Sequence, residues 1–183
     1  MTQRIEDTVR TLLGQIGEDP TRLGLVDTPR RVAKMWGELV TNSAEPPVLT
    51  TFPSNSDGVQ CDQMVIVANI DFWSLCEHHM LPFIGKASVG YIPKDRIVGL
   101  SKVARAVHHF SRRLQVQERL GSQVADFLFE GLEPEGVCVM LSAEHLCMSM
   151  RGVRSPGHVT TTHAIRGNID KEEFLNLLKV GGR

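Results

Sequence analysis

Strand-forming segments in this chain arrive in consecutive groups, with helical stripes between the groups and not between each pair of strands. Met64 to Ile70 is a β-branched apolar run, and Ala87 to Ile92, Pro93-Lys94-Asp95 and Arg96 to Leu100 read as strand, turn and strand, a predicted hairpin. Val103, Ala104, Val107, Phe110 and Leu114 then form the inner face of a helix that Ser101 is placed to cap, and Leu120, Val124, Phe127 and Leu128 continue as a second stripe up to Gly131. Strand character returns at Val137 to Leu141, Cys147 to Val153 and Val159 to Ile165. Asp170 and Glu173 then open a final helix carrying Phe174, Leu177 and Leu178. With two helices ahead of them, the elements run α-α, β-β-β, α-α, β-β-β, α. Such an order predicts an α+β fold, an antiparallel sheet with helices on one face, and disfavours a parallel doubly wound sheet.

The two leading helices are written in the first 40 residues. Ile5, Val9, Leu12, Leu13 and Ile16 recur at helical spacing over residues 4–16, and Gly17 with Asp19-Pro20 supplies a stop. Asp27-Thr28-Pro29 starts the second, whose buried stripe is predicted as Val32, Met35, Trp36, Leu39 and Val40, leaving Arg30, Arg31 and Lys34 on the other face. Residues 41–60, with Pro46-Pro47, Pro53 and Asp57-Gly58, read as a loop. At 183 residues the chain is expected to be a single domain spanning 1–183, with 1–45 an N-terminal helical segment and 60–183 the core.

Composition narrows the function classes. Twenty Lys plus Arg against 21 Asp plus Glu give a net charge of −1, so no global positive field holds nucleic acid or anionic lipid, and any polyanion must be met by a local cluster. No apolar run approaches the ~20 residues needed to span a bilayer, and the N-terminus lacks the pattern of a secretion signal. A cytoplasmic protein is the expectation. Its four cysteines, Cys61, Cys76, Cys138 and Cys147, then point to metal or catalysis and not to disulfides.

Cys76-Glu77-His78-His79 sets a thiolate and an imidazole three positions apart, and Glu144-His145-Leu146-Cys147 is a second His/Cys cluster that a sheet can bring across to the first. Either cluster alone reads equally well as polar histidines beside small buried cysteines; the pair favours zinc. Cys61 and Cys138 have no histidine neighbour and read as structural. A zinc held by Cys76, His79 and Cys147 would keep a fourth position for water, the catalytic arrangement. A fourth protein ligand such as His78 would close the site and make a zinc-stabilised structural or interaction module. Two thiolates cancel the charge of the ion, which makes proton shuttles more necessary, and His78 and His145 are available for that role.

Several separated stretches carry a family resemblance: Ser74-Leu75-Cys76-Glu77-His78-His79-Met80-Leu81-Pro82-Phe83, Gly99-Leu100-Ser101-Lys102, Gln115-Val116-Gln117-Glu118-Arg119-Leu120, and His145-Leu146-Cys147-Met148 leading to Arg151-Gly152. From Ile5 to Leu178 the chain resembles the GTP cyclohydrolase I family, zinc enzymes that convert GTP and water to formate and 7,8-dihydroneopterin triphosphate at the start of pterin and folate synthesis. The resemblance implies the T-fold, a ring of ten identical subunits, and active sites between neighbours. It implies Cys76, His79 and Cys147 as zinc ligands and His78 and His145 as catalytic histidines. Water activated by the zinc would attack C8 of guanine while His145 protonates N7, and a second hydrolysis would release formate. His78 and Ser101 would handle protons in the later ring closure.

Glu118 matches the family's guanine reader: a carboxylate accepts from N1–H and the 2-amino group of guanine, whereas adenine offers neither donor. Gln117 lies beside it as a further substrate-binding position. On their own, Gln117, Glu118 and Arg119 would read as the wet face of a helix. The triphosphate carries about four negative charges and needs cations. Lys102, Arg105 and Arg151 match phosphate-binding positions, and so do Arg31 and Lys34, which in the family reach substrate from an adjacent subunit. Lys102 and Arg105 share one face near a helix start, where the dipole favours anions. The short segment before the first helix does not support feedback control by a partner protein. Ser155-Pro156-Gly157-His158 is a turn-like departure from the family pattern, next to Arg154.

Overall fold

The computed structural model of the chain describes residues 2–40, 45–56 and 59–181. It forms two compact units, Met1–Asn42 and Ser43–Arg183. The first holds α1 (Thr2–Gln15) and α2 (Thr28–Leu39), with Pro29 in the first turn of α2, where its missing N–H costs nothing. Leu13, Pro29 and Ala33 are buried, but Leu12, Ile16 and Met35 of the predicted stripes remain exposed within this unit.

The second unit contains β1 (Thr51–Pro53), β2 (Asn55–Ser56), β3 (Val59–Gln60), β4 (Val65–Cys76), β5 (Pro82–Ile92), β6 (Arg96–Val98), α3 (Leu100–Ser111), β7 (Leu114–Gln115), α4 (Gln117–Leu132), β8 (Gly136–His145), α5 (Leu146–Ser149), β9 (Thr160–Gly167) and α6 (Lys171–Gly181). Five strands make the main sheet in the order β7-β4-β5-β8-β9. All its pairings are antiparallel except the short parallel contact of β7 with β4. The α+β class and the antiparallel sheet therefore stand.

The predicted one-sided helix layer does not. Inward alternation along β8 sends Val137, Val139 and Leu141 into the core with Val103 and Val107 of α3 and Leu120, Val124 and Leu128 of α4. The intervening Cys138 and Met140 pack on the other face with Phe174 and Leu178 of α6. Helices thus cover both faces. Gly90, opposite Cys138, makes room for α6: a Cβ there would lie 2.6 Å from the Phe174 ring. Phe174 is fully buried, and its truncation to alanine removes about 3–5 kcal/mol of packing.

Five local expectations are corrected. Arg96 to Val98 does not fold back on β5; it pairs with β1 from the region read as loop, while the Val98 N–H reaches the Tyr91 hydroxyl at 3.2 Å. Asp57-Gly58, within the region read as loop, lies outside the described residues. Gly99, not Ser101, is the N-cap of α3, with no side-chain capping bond, and Leu114 leaves that helix to join the sheet as β7. The stretch from Cys147 to Val153 is no strand: Leu146–Ser149 form one helical turn and the chain continues in turns. Cys61 is exposed, so it does not serve as core, whereas Cys138 is buried as expected. Burial pushes the Cys138 thiol up to about 11, which keeps it protonated and inert. At α6, the Asp170 carboxylate accepts from the Glu172 and Glu173 N–H groups at 2.7 and 3.3 Å, the predicted cap.

Candidate metal centre

Strand register assembles the two His/Cys clusters. β5 lies between β4 and β8, with Phe83 facing Ser74 on one side and His145 on the other. The C-terminal ends of β4 and β8 therefore reach the same end of the sheet. Beyond β4, Met80 N–H returns to the Cys76 carbonyl at 2.7 Å and Cys76 N–H donates to the Leu81 carbonyl at 2.8 Å, a tight turn that needs a left-handed Met80, φ 55°. Beyond β8, the turn of α5 swings Cys147 inward. The ligand atoms of Cys76, His79 and Cys147 all lie within 4.8 Å of one another, and among the described residues they are the only such trio.

Those donors fit zinc. A tetrahedral ion with sulfur at ~2.3 Å and nitrogen at ~2.0 Å sets its ligand atoms about 3.5–3.8 Å apart, a short closure from the observed spacing. Among the described residues no fourth His, Cys, Asp or Glu joins the trio, which disfavours a closed structural site. Burial and the neighbouring Cys76 push the Cys147 thiol up, so a cation is what would bring it to the thiolate. Arg151 Nη1 donates to His79 Nε2 at 2.9 Å, which brings that predicted phosphate-binding residue beside the trio.

The two candidate catalytic histidines differ in setting. His78 is exposed, with Nδ1 3.7 Å from the Cys76 sulfur. His145 is partly buried, its ring stacked on Phe83 at 4.7 Å and 2° between planes. Burial, helped by His158, lowers the pKa of His145, against an opposing pull from the Glu118 carboxylate in the first turn of α4. Gln117 is 1% exposed and its side-chain oxygen meets His145 Nε2 at 2.8 Å.

The remaining predicted residues are not drawn into this cluster by side-chain contacts. Ser101, Lys102 and Arg105 stand in the first two turns of α3, with no hydrogen bond or ion pair to the trio among the described residues. Arg31 and Lys34 belong to the first unit and pair with Asp27 at 3.3 Å and Glu38 at 3.8 Å.

Sequence reasoning missed three supports. Arg119 forms a two-pronged ion pair with Glu77, inside the metal-ligand turn. Glu144 accepts the Ser149 hydroxyl and, at 3.1 Å, the Gly157 N–H, so it straps the 150–157 connection to β8. His158 donates from Nδ1 to the Ser155 carbonyl at 2.7 Å and accepts the His145 N–H at Nε2, 3.4 Å. The charge of Glu77, between the ligand positions Cys76 and His79, was the one available signal; nothing in the sequence marks the other two.

The family model for GTP cyclohydrolase I matches residues 5–179. A GTP cyclohydrolase 1 of Thermobifida fusca is 56% identical over 169 residues, covering 90% of this chain and 79% of its own. That of Aquifex aeolicus is 50% identical over 183 residues, covering 97% and 96%, and that of a Sulfurihydrogenibium species 49% over 180, covering 96% and 94%. With a Cys-His-Cys trio built where two strand ends converge and relatives matching over nearly its whole length, the chain belongs to the GTP cyclohydrolase I family.

Proposed function

We propose that the protein is a zinc-dependent GTP cyclohydrolase I, which opens the imidazole ring of GTP at C8, releases formate and forms 7,8-dihydroneopterin triphosphate. The convergence of Cys76, His79 and Cys147, with no fourth protein ligand among the described residues, is the observation that carries this reading. A zinc ion held by those three side chains would supply a Lewis acid that activates water at neutral pH. The chain spans 1–183 as one functional domain on a T-fold core, works as a ring of ten with sites shared between neighbours, and resides in the cytoplasm. Among the described residues no helix is long and apolar enough to cross a membrane.

His145 donates a proton to N7 of the purine as water adds at C8, which lets the C8–N9 bond break to a formamide. A second water hydrolyses that formamide and formate leaves. The opened ribose isomerises to a ketone and condenses with the freed amine, returning one water, so one water is consumed overall. His78 and Ser101 move protons in these later steps. Glu118 accepts from N1–H and the 2-amino group of guanine. Lys102, Arg105 and Arg151, with Arg31 and Lys34 from an adjacent subunit, hold the triphosphate.

Incubation of the zinc-loaded protein with GTP, with ATP as control, tests the reading. Formate and a pterin that fluoresces after oxidation are expected from GTP alone. Bound zinc with no formate release would favour the alternative, a zinc-stabilised non-catalytic module.

A further inference from the structure

Gln117 was expected among the substrate contacts, but its side chain is already committed. Its Nε2 lies 3.1 Å from the Leu141 carbonyl, 3.0 Å from the Thr160 carbonyl and 3.1 Å from the Thr162 hydroxyl. Both amide hydrogens are consumed by those neighbours, two of which can only accept. Turning the amide over would set its oxygen against two carbonyl oxygens in a buried site, which fixes the orientation.

The same orientation aims Oε1 at His145 Nε2, 2.8 Å away. A carbonyl oxygen only accepts, so Nε2 must carry the hydrogen in either charge state of the ring. Neutral His145 then has its lone pair on Nδ1, for which no hydrogen-bond partner occurs among the described residues. Phe83, parallel to the ring and opposite His145 in the β5–β8 register, fixes the plane while Gln117 fixes the edge.

We infer that Gln117 is a positioning residue: it locks His145 in the Nε2–H tautomer and so makes Nδ1 the atom through which His145 exchanges its proton with the substrate. This rests on His145 being the acid–base group of the proposed reaction. Gln117 itself touches neither guanine nor phosphate.

Nitrogen NMR of the zinc-loaded protein labelled at histidine reads the tautomer without substrate, with the His145 signal assigned by its loss in His145→Gln. Above neutral pH the wild-type ring should show a protonated Nε2 and a bare Nδ1; a protonated Nδ1 overturns the inference with no variant needed. Gln117→Met should give mixed tautomers and lower kcat about a hundredfold, with KM for GTP nearly unchanged. A raised KM with unchanged kcat and tautomer in Gln117→Met would make Gln117 a substrate contact and overturn the inference. Absence of formate release from wild-type protein whose His145 is Nε2–H would instead overturn the functional reading, and with it the catalytic purpose of the lock.

Discussion

Arg119 sets both terminal nitrogens on the Glu77 carboxylate, Nη1 2.7 Å from Oε2 and Nη2 2.9 Å from Oε1. The pair ties the first turn of α4, with Gln117 and Glu118, to the turn carrying Cys76, His78 and His79. Its hydrogen bonds from Arg119 hold the Glu77 carboxyl below its ordinary pKa. With side chains 44% and 32% exposed, the pair contributes little to global stability and acts by fixing geometry. Arg119→Ala should therefore leave the thermal midpoint nearly unchanged but speed zinc loss to a chelator by up to about tenfold. Arg119→Lys should restore only part, because an ammonium cannot hold both oxygens in parallel. A release half-time equal to wild type in Arg119→Ala would remove this pair from the support of the metal site.

Cys147 and His145 sit two residues apart but should separate cleanly in their effects. Cys147→Ser removes one of three proposed zinc ligands, so metal per chain by mass spectrometry should fall to background along with formate production. His145→Ala leaves the trio whole and should keep its zinc while losing about a hundredfold or more in turnover. Turnover by metal-free Cys147→Ser would refute the ligand assignment.

Glu144 makes a pH dependence readable. The Ser149 hydroxyl first and the Gly157 N–H second hold its carboxyl below the usual value of 4.5. A folded-state pKa below the unfolded one means stability that is present above the ordinary carboxylate value and lost as pH falls through the lowered one. Wild-type protein should thus melt higher than Glu144→Gln at neutral pH, and the gap should close as pH falls below 4.5. A gap that stays constant across that range would show that the carboxylate charge is not what straps the 150–157 connection.

Much of this site is legible in the sequence because its essential parts are local. Cys76 and His79 share one turn, His145 and Cys147 share another, and the apolar stripes of α3 and α4 declare the face that buries them. The pairing of β6 with β1 was not legible: a three-residue strand in a proline-rich stretch has no periodicity to read. The strand character read from Cys147 to Val153 was misleading: Met148, Met150 and Val153 are all exposed, so the apolar residues there record no core face. Gln117 shows a deeper limit. A polar residue at a helix start is written identically whether it meets solvent or, as here, fills four hydrogen-bonding roles beneath the sheet end.

Glu118 is exposed in the first turn of α4, free to meet a base, and its charge is felt by His145. Glu118→Gln replaces a charged double acceptor with an amide that can match only one guanine donor. GTP should bind about 2 kcal/mol more weakly, while binding of ATP, which never offered those donors, should change little. The check is equilibrium dialysis of GTP and ATP against the His145→Ala background, where turnover does not consume the ligand. An unaltered GTP to ATP ratio would strip Glu118 of its role as reader.

Arg31 and Lys34 pair within α2, with side chains 69% and 79% exposed. Surface pairs of this kind are worth about 0–1 kcal/mol, so either cation can leave its partner for a triphosphate at small cost. If these residues serve a neighbour's site, Arg31→Ala and Cys147→Ser subunits fail for different reasons and complement each other. In a mixed ring, a site built from the intact trio of an Arg31→Ala subunit and the intact Arg31 of a Cys147→Ser subunit has every group it needs. Co-refolded mixtures should therefore recover formate production that neither variant shows alone, rising to a maximum near equal proportions. Mixed assemblies, verified by native mass spectrometry, that stay inactive at every ratio would mean that each site takes Arg31 from its own chain or does not use it.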